Sequence, residues 1–554
     1  MGIWNLYFIA KLYLAFIGRL HPQWLLNLLF ALVLAVRIRH PALSALRHVL
    51  AVVAGAALMY RESDLPPFSR VVSQFSNLQA FTPAYMLELA QRVITREMLL
   101  VALAALVVFW LVNRWVRVTT LVLGALVAVP VWQAFYGGGG PGGSAGARAG
   151  TAALATGAAP ASGGAEVNAS GPDARLAAFR NQEALRQVSF PRLAATPGTS
   201  GTSGTSGTSG TSGTSGTSGT SGTSDTQYDV IVLHICSLSW DDLDAARARD
   251  NPLLQRFDFL FTNFSSAASY SGPAAIRMLR AACGQPEHKA LYDPAPAQCH
   301  LFQALAQAGF STRMLLNHDG HFDNFLKEVQ KEIGVDGVAP PPNTGLPVAM
   351  RSFDSSPVIG DFDVLQRWFH DRQQAGGGPQ ALYYNTVTLH DGNRMNDNRL
   401  SSLESYPLRL SRLLGDIDKV IEMVAQSGRR AVIVFVPEHG AALRGDANQI
   451  AGMREIPTPR IINVPVGVKL VGLAKPNGRT ITIDAPTSYL GLAQLLSNLI
   501  ADNPFAAQAP DLASYASDVP HTQMVGENEA TVTMREGDGY VVRTPDGVWI
   551  EGKP

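Results

Sequence analysis

The chain has 554 residues, of which 47% are hydrophobic and 16% are charged. Its 44 basic and 44 acidic residues cancel, so no global field attracts nucleic acid, and we exclude nucleic-acid binding as the expected function. The length predicts more than one domain.

The first 136 residues predict an α-helical membrane domain of about five spans. The apolar segments are Trp4–Ile17, Trp24–Val36, Val49–Tyr60, Met98–Val112 and Val118–Phe135. A span takes about 20 residues, so interfacial Trp and Tyr must complete the shorter segments. A helical bundle in water is the alternative, but these segments leave little polar surface to solvate it.

Basic residues between the segments predict the orientation. Two short loops carry Arg37, Arg39, Arg47, Arg114 and Arg117. The positive-inside rule places both loops and the N-terminus in the cytoplasm, and everything after Phe135 outside. Lys11 interrupts the first segment, where it would snorkel or face the bundle.

Residues 137–225 predict a flexible, low-complexity linker. The segment is rich in Gly, Ala, Ser, Thr and Pro, and it ends in nine tandem Gly-Thr-Ser triplets from Gly198 to Ser224. Such a composition buries too little apolar surface to offset the entropy of ordering. Within it, weak periodicity over Arg175–Leu193 predicts a short helix near the membrane surface.

Residues 226–554 alternate short apolar runs with helical patterns, which predicts an α/β domain with a mostly parallel sheet. The expected strands are Asp229–Ile235, Thr312–Leu316, Ala381–Val387, Ala431–Val436 and Val466–Leu470. The expected helices are Cys299–Ala308, Phe362–Arg372, Pro407–Gln426 and Thr487–Ile500. Three runs divided by GDG and PDG turns, Thr531–Met534, Tyr540–Arg543 and Val548–Ile550, predict a small antiparallel β-ribbon.

The three cysteines, Cys236, Cys283 and Cys299, lie in the part expected outside the cytoplasm. Two of them should pair in an oxidising compartment. Cys283 and Cys299 are the natural couple, closing a loop of about 15 residues, worth roughly 3 kcal/mol in the chain-entropy account. Cys236 is then left over and needs an explanation.

Polar residues at two strand ends predict a metal site. Glu438 and His439 end the run AVIVFVPEHG, and Cys236 ends the first strand. Ligands bind at the carboxyl edge of open α/β sheets, and a thiolate, a carboxylate and an imidazole would hold zinc with one position open. The alternatives are a polar strand end that caps a loop and, for Cys236, a small buried hydrophobe.

Ser271 is the candidate nucleophile, because Gly272 and Pro273 after it indicate the start of a helix. A helix N-terminus favours an anion, and a bound metal would lower the pKa of the hydroxyl. The alternative is that Ser271 only caps the helix.

Two further residues suit an anionic substrate. His390 follows the strand Ala381–Val387 and could protonate a leaving oxygen, unless loop hydrogen bonds occupy it. Arg454 could bind phosphate through two hydrogen bonds, or could simply be solvated. A polar cluster of His318, Asp319, His321 and Asp323 follows Leu316 and ranks lower.

The sequence resembles a known family. The strings HICSLSWDDL, SYSGPA, TLHDGN, PEHG and GMRE are similar to those of the phosphoethanolamine transferases of the alkaline phosphatase and sulfatase superfamily. Among these they most resemble the BcsG-type cellulose phosphoethanolamine transferases. The resemblance covers the membrane segments and nearly all of 226–554, but not the linker.

The resemblance implies specific roles. Ser271 would be the nucleophile, Cys236, Ser271, Glu438 and His439 would hold one Zn²⁺, Cys283 would pair with Cys299, and Tyr270, His390 and Arg454 would line the site. The wider superfamily often has an acid in place of Cys236, an Asp in place of Glu438 and a Thr nucleophile. These departures fit the cellulose subgroup and argue against lipid A as acceptor.

The resemblance also implies the reaction and its place. Phosphatidylethanolamine would donate phosphoethanolamine to a glucose hydroxyl, expected to be C6, of cellulose made by the cellulose synthase membrane complex. The catalytic domain would lie in the periplasm and the anchor in the bacterial inner membrane. The alternatives are a phosphatase or sulfatase, a transferase to another acceptor such as lipid A, and a non-catalytic scaffold of the synthase complex.

Overall fold

The computed structural model describes residues 2–17, 20–36, 38–63, 81–136, 171–193, 227–446, 448–474 and 478–552. The chain divides into two compact units. The first contains residues 1–79 and 90–164, and the second contains residues 80–89 and 165–554. Arg37 and most of the predicted linker, including the Gly-Thr-Ser repeat, lie outside the described residues.

The first unit is helical where it is described. Its chain forms α1 (Trp4–Phe16), α2 (Trp24–Ala35), α3 (Pro41–Glu62), α4 (Pro83–Val93), α5 (Arg96–Val112) and α6 (Val118–Tyr136), although residues 83–89 of α4 belong to the second unit. Apolar residues on α1, α2, α3 and α6 form its core, among them Phe8, Leu34, Ala51 and Val122.

The predicted membrane domain is supported only in part. Among the described residues α3, with 22 residues, is long and apolar enough to cross a membrane. The helices Pro83–Arg92 and Arg96–Val112 are a second candidate if the two together form one broken span. Length and composition therefore support one or two spans, and a topology of about five spans stays a prediction.

Lys11 faces the interior of this unit rather than its surface. Its Nζ atom lies 2.5 Å from Glu62 Oε2 and donates to Asn27 Oδ1 at 2.5 Å. Asn27 in turn donates to Glu62 Oε1 at 2.5 Å. The cation in the first apolar segment is therefore matched by a buried anion on α3.

The second unit is built on a seven-stranded sheet. Its strands are β1 (Asp229–Cys236), β2 (Phe259–Ser265), β3 (Ser311–Leu316), β6 (Gln380–Thr386), β8 (Ala431–His439), β9 (Asn463–Val471) and β10 (Ile481–Ile483). Their order across the sheet is β10-β2-β9-β8-β1-β6-β3. The pairs β3–β6, β6–β1, β1–β8 and β10–β2 are parallel, whereas β9 is antiparallel to both β8 and β2. The prediction of a mostly parallel sheet is confirmed, and the antiparallel strand β9 makes the sheet a mixed one.

Hydrophobic residues cover both faces of this sheet. In β1, Val230 and Val232 enter one core, and Ile231, Leu233 and Ile235 enter the other, as the two-residue period of a strand requires. The covering helices are α8 (Trp240–Ala245), α9 (Pro252–Gln255), α10 (Ser271–Leu279), α11 (Leu301–Ala308), α12 (Phe325–Glu332), α13 (Asp361–Ala375), α14 (Ser402–Gln426), α15 (Pro459–Ile462) and α16 (Tyr489–Ala501).

Helix α14 begins earlier than Pro407, where the sequence predicted its start. Ser401 accepts from the backbone of Glu404, and Glu404 binds back to the backbone of Ser401, which is a complete capping box. Pro407 therefore lies inside the helix, in its second turn, where it has no N–H to donate to the carbonyl four residues earlier.

Two small antiparallel sheets complete the unit. The strands β4 (Val348–Arg351), β5 (Pro357–Ile359) and β7 (Arg394–Met395) form one. The predicted C-terminal ribbon is the other, with β11 (Val525–Glu527), β12 (Val532–Glu536), β13 (Gly539–Arg543) and β14 (Trp549–Gly552).

Part of the predicted linker belongs to the second unit and packs on its C-terminal ribbon. Helix α7 (Pro172–Ala184) buries Leu176 and Phe179 against Val525, Met534 and Val541 of the ribbon. Farther on, Gln187 forms a β-bridge with Cys283. The periodicity over Arg175–Leu193 thus belongs to a helix and an extended stretch that cover the folded domain.

Candidate active site

The candidate metal ligands meet because β1 and β8 are neighbours and run parallel. Cys236 is the register partner of His439, after a register shift that follows Ile235. Cys236, Glu438 and His439 are each 0% exposed, and one ligand atom from each lies within 4.8 Å of the other two. Cys236, Glu438 and His439, which the sequence placed at strand ends, therefore lie close together in the structure.

The turn after His439 is held by the start of α8. The Asp242 carboxylate accepts from the backbone N–H of Ala441 at 2.7 Å and of Leu443 at 3.3 Å. A Cβ on Gly440 would lie 2.6 Å from Ser239 Oγ, so only glycine fits at this position without displacement. These contacts fix where β8 ends and hence where Glu438 and His439 project.

Ser271 is the first residue of α10 and faces the same cluster. Its Oγ atom lies 3.2 Å from Cys236 Sγ and 3.4 Å from His439 Nε2. Tyr270, not Ser271, occupies the N-cap position, and it makes no side-chain capping bond. The alternative that Ser271 only caps the helix is therefore wrong.

The chemistry of this donor set fits a divalent cation. Glu438 Oε2 is buried and has no hydrogen-bond partner in the described structure. His439 Nδ1–H donates to Gly440 O at 2.9 Å, which leaves the lone pair of Nε2 for a ligand. Burial raises the pKa of Glu438 to about 7 and raises that of the Cys236 thiol, so a bound cation would stabilise the deprotonated forms of both groups.

A chain of hydrogen bonds that the sequence did not predict orients Glu438. Asn385 on β6 donates from Nδ2 to Glu438 Oε1 at 2.6 Å. His318 Nε2–H donates to Asn385 Oδ1 at 2.9 Å, and His318 Nδ1 accepts from Gly320 N at 3.1 Å. Of the polar cluster after Leu316, His318 thus reaches the site indirectly, whereas the His321 side chain is 87% exposed.

Arg454 contacts Ser237 and Tyr270, and Tyr270 immediately precedes Ser271. Arg454 Nη1 donates to Ser237 Oγ at 3.3 Å, and its guanidinium lies 5.6 Å from the centre of the Tyr270 ring. The Tyr270 hydroxyl donates to Glu455 Oε1 at 2.7 Å. Glu455 was missed by the sequence analysis, although it belongs to the string GMRE and adjoins Arg454.

His390 lies in the loop after β6, close enough to Arg454 to be affected by its charge. Burial and then that charge lower the pKa of His390 to about 4. The Leu389 N–H donates to Cys236 O at 3.1 Å, which joins this loop to the end of β1. Because His390 is neutral near pH 7, it is better suited to accept a proton than to protonate a leaving oxygen.

The remaining cysteines form the expected disulfide. Cys283 and Cys299 are bonded, with their Cα atoms 4.9 Å apart. Cys236 is free and buried, which fits both a metal ligand and a small buried hydrophobe.

Fold and site together define an α/β protein with a candidate metal centre and a serine at the carboxyl edge of a mixed sheet. The chain belongs to the BcsG family of cellulose biosynthesis proteins. The family described as "Cellulose biosynthesis protein BcsG C-terminal domain" matches residues 214–549, and the corresponding N-terminal domain matches residues 4–131. The resemblance seen in the sequence strings is thereby confirmed.

Two curated relatives cover almost the whole chain. The chain is 35% identical over 567 residues to the cellulose biosynthesis protein BcsG of Escherichia coli K12, covering 99% of this chain and 95% of that protein. It is 36% identical over 572 residues to BcsG of Salmonella typhimurium LT2, with the same shares covered.

Solved structures are more distant. A Vibrio parahaemolyticus protein of the alkaline phosphatase superfamily matches with a TM-score of 0.42 and 12% identity, over 59% of this chain and 79% of that chain. The zinc complex of the C-terminal periplasmic domain of EcEptC from Escherichia coli matches with a TM-score of 0.39 and 14% identity, over 53% and 95%. Both TM-scores lie below 0.5, so neither likeness bears on the function of this chain.

Proposed function

We propose that this protein is a zinc-dependent phosphoethanolamine transferase that modifies nascent cellulose. The observation that carries the proposal is the position of Ser271 Oγ, 3.2 Å from Cys236 Sγ and 3.4 Å from His439 Nε2. A hydroxyl at a helix start, beside a thiol and an imidazole, is suited to attack at phosphorus. Membership of a cellulose biosynthesis family supports cellulose as the acceptor.

The proposed ligands are Cys236, Ser271, Glu438 and His439. Zinc, when bound, supplies Lewis-acid charge that lowers the pKa of the Ser271 hydroxyl. The protein contributes the buried cradle, with the Glu438 carboxylate held by Asn385 and the His439 imidazole held by the Gly440 carbonyl.

In the first step Ser271 Oγ forms a bond to the phosphorus of phosphatidylethanolamine. The bond from phosphorus to the glycerol oxygen breaks, and diacylglycerol leaves with the proton lost by Ser271. We propose that Arg454 binds the phosphate oxygens, which its contacts with Ser237 and the Tyr270 ring support. The product is a phosphoethanolamine ester of Ser271.

In the second step a glucose hydroxyl, expected to be C6, attacks the same phosphorus. The ester bond to Ser271 breaks, and the serine regains a proton. Neutral His390 is the base proposed to accept the hydroxyl proton, since its pKa of about 4 leaves it unprotonated at neutral pH. We place this chemistry in the periplasm, with the apolar N-terminal helices in the bacterial inner membrane near the cellulose synthase complex.

The test is Ser271→Ala in the full-length chain, with exposed Ser517→Ala as the matched control. Phosphoethanolamine on cellulose is measured by phosphorus-31 NMR of the isolated polymer, and diacylglycerol release is measured in vesicles containing phosphatidylethanolamine. We expect Ser271→Ala and zinc chelation each to abolish both signals, while Ser517→Ala keeps them. Unchanged incorporation in Ser271→Ala would favour a non-catalytic scaffold, and incorporation into lipid A instead of cellulose would reject the acceptor.

A further inference from the structure

Residues 81–89, between the apolar segments of the N-terminal part, belong to the second unit. The segment enters α4, and its Thr82 N–H donates to Phe353 O at 2.9 Å. Tyr85 is 6% exposed and Glu88 is 8% exposed. Tyr85 and Glu88 are therefore buried in the second unit, although the rest of that unit begins only at residue 165.

Tyr85 contacts the loop that carries His390. The Tyr85 hydroxyl donates to Asp391 Oδ2 at 2.9 Å, and the Asp391 carbonyl accepts from His390 Nδ1 at 2.6 Å. Gly392 has a φ of +84°, and a Cβ there would lie 2.5 Å from Phe353 Cβ and 3.0 Å from the Tyr85 ring. The loop backbone and the Tyr85 ring thus approach as closely as glycine allows.

Aromatic rings in tilted and edge-to-face contact give a second connection to the same histidine. The Phe353 ring lies 5.2 Å from the His390 imidazole, at an interplanar angle of 37°. Phe81 lies 5.3 Å from Phe353 and 5.2 Å from Tyr85. Residues 81–85 therefore back the ring that packs on His390.

Glu88 fixes the far end of the loop. Its carboxylate accepts from Ser402 N at 3.1 Å and pairs with Arg394 at 2.7 Å. Ser402 Oγ accepts from Gly392 N at 2.7 Å, so the two ends of the loop are also joined to each other. On the other side, Arg409 donates to Thr388 O at 2.7 Å and to His390 O at 3.1 Å.

We propose that residues 81–89 are a positioning element for His390. Since Nδ1–H is committed to the Asp391 carbonyl, Nε2 is the nitrogen that can accept a proton from substrate. Tyr85 and Glu88 hold the loop that sets the direction of this nitrogen. The proposal rests on the role of His390 given under the proposed function, and it adds a segment of the N-terminal part to the catalytic apparatus.

The test uses the full-length protein in phosphatidylethanolamine vesicles. Tyr85→Ala removes ring and hydroxyl, Tyr85→Phe keeps the ring, and Leu185→Ala, at a residue 88% exposed outside the segment, is the control. We expect Tyr85→Ala to lower kcat about tenfold or more with KM nearly unchanged, because a small misplacement of a reacting group is costly. Tyr85→Phe should be intermediate and Leu185→Ala like the wild type.

Two measurements separate positioning from general destabilisation. Amide hydrogen exchange of residues 388–396 should accelerate in Tyr85→Ala, while bound zinc stays close to the wild-type value and unfolding stays cooperative. Wild-type exchange and kcat in Tyr85→Ala would overturn the proposal, and so would parallel loss of zinc and of cooperative unfolding. If His390→Ala keeps wild-type kcat, the catalytic role of His390 fails, whereas faster loop exchange in Tyr85→Ala still supports the contact between the segment and the loop.

Discussion

Glu438 offers one carboxylate oxygen to the protein and keeps the other free. Oε1 accepts from Asn385, whereas Oε2 is buried without a partner in the described structure. A buried acceptor without a partner costs about 1–3 kcal/mol, a cost that a bound cation removes. The hydrogen bond on Oε1 therefore decides how the free oxygen is presented.

This arrangement predicts that Asn385 sets the zinc affinity. Asn385→Leu removes the donor to Glu438 and leaves the carboxylate free to rotate, so we expect the affinity for zinc to fall by about 10- to 100-fold. Competition with a chromophoric chelator measures it without any substrate. Exposed Asn396→Leu is the control, and a wild-type affinity in Asn385→Leu would show that Glu438 is held by other contacts.

The raised pKa values of the ligands predict a pH dependence of zinc binding. Burial raises the pKa of Glu438 to about 7 and that of Cys236 above its ordinary value, so the zinc-free folded protein holds these protons more tightly than the unfolded chain does. The zinc-free protein should therefore lose stability as pH rises from about 4.5 through 7. Zinc displaces the protons, so its affinity should rise with pH, by up to about tenfold per pH unit for each proton released.

Thermal unfolding with zinc and with EDTA at pH 6, 7 and 8 checks this prediction. The shift in midpoint caused by zinc should grow with pH in the wild type and should grow less in Glu438→Gln, which has no carboxyl proton to lose. A shift that is equal at the three pH values would contradict coupled proton release.

At the scale of elements, the strands that could be predicted are those with long apolar runs. β1, β6 and β8 are buried over every residue, and each contains an unbroken apolar run, namely Val230–Leu233, Ala381–Tyr384 and Ala431–Val436. β2 was missed because Thr262 and Asn263 interrupt its apolar pattern, and β10 is only three residues long. The antiparallel direction of β9 is set by its pairing with β8 and β2, which a single run does not encode.

The candidate site was predictable to the same extent as the strands that carry it. Cys236, Glu438 and His439 follow from the rule that ligands collect at the carboxyl ends of strands. Asn385 lies at an ordinary strand position and acquires its role only from β8, two strands away across β1. Tyr85 could not be found, because its partner Asp391 is 306 residues farther along the chain.

At the scale of the whole molecule, the first unit buries an ion pair among apolar side chains. Lys11 is 3% exposed and Glu62 is 2% exposed in a unit that is otherwise mostly apolar. Charged groups in such surroundings are retained only where they are paired, and removing one partner leaves the other uncompensated. Asn27 binds both, so α1, α2 and α3 meet at this pair.

The pair predicts an asymmetric double-mutant cycle in the full-length protein. Lys11→Met alone leaves Glu62 buried without a cation and should cost about 3–5 kcal/mol of stability, whereas Lys11→Met combined with Glu62→Gln should recover much of that loss. The midpoint of thermal unfolding in detergent is measured for each variant. The control is Arg61→Met, at an exposed position on α3, the helix that carries Glu62. If Lys11→Met unfolds at the same temperature as Arg61→Met, or if the double variant is no more stable than Lys11→Met, the pair does not hold these helices together.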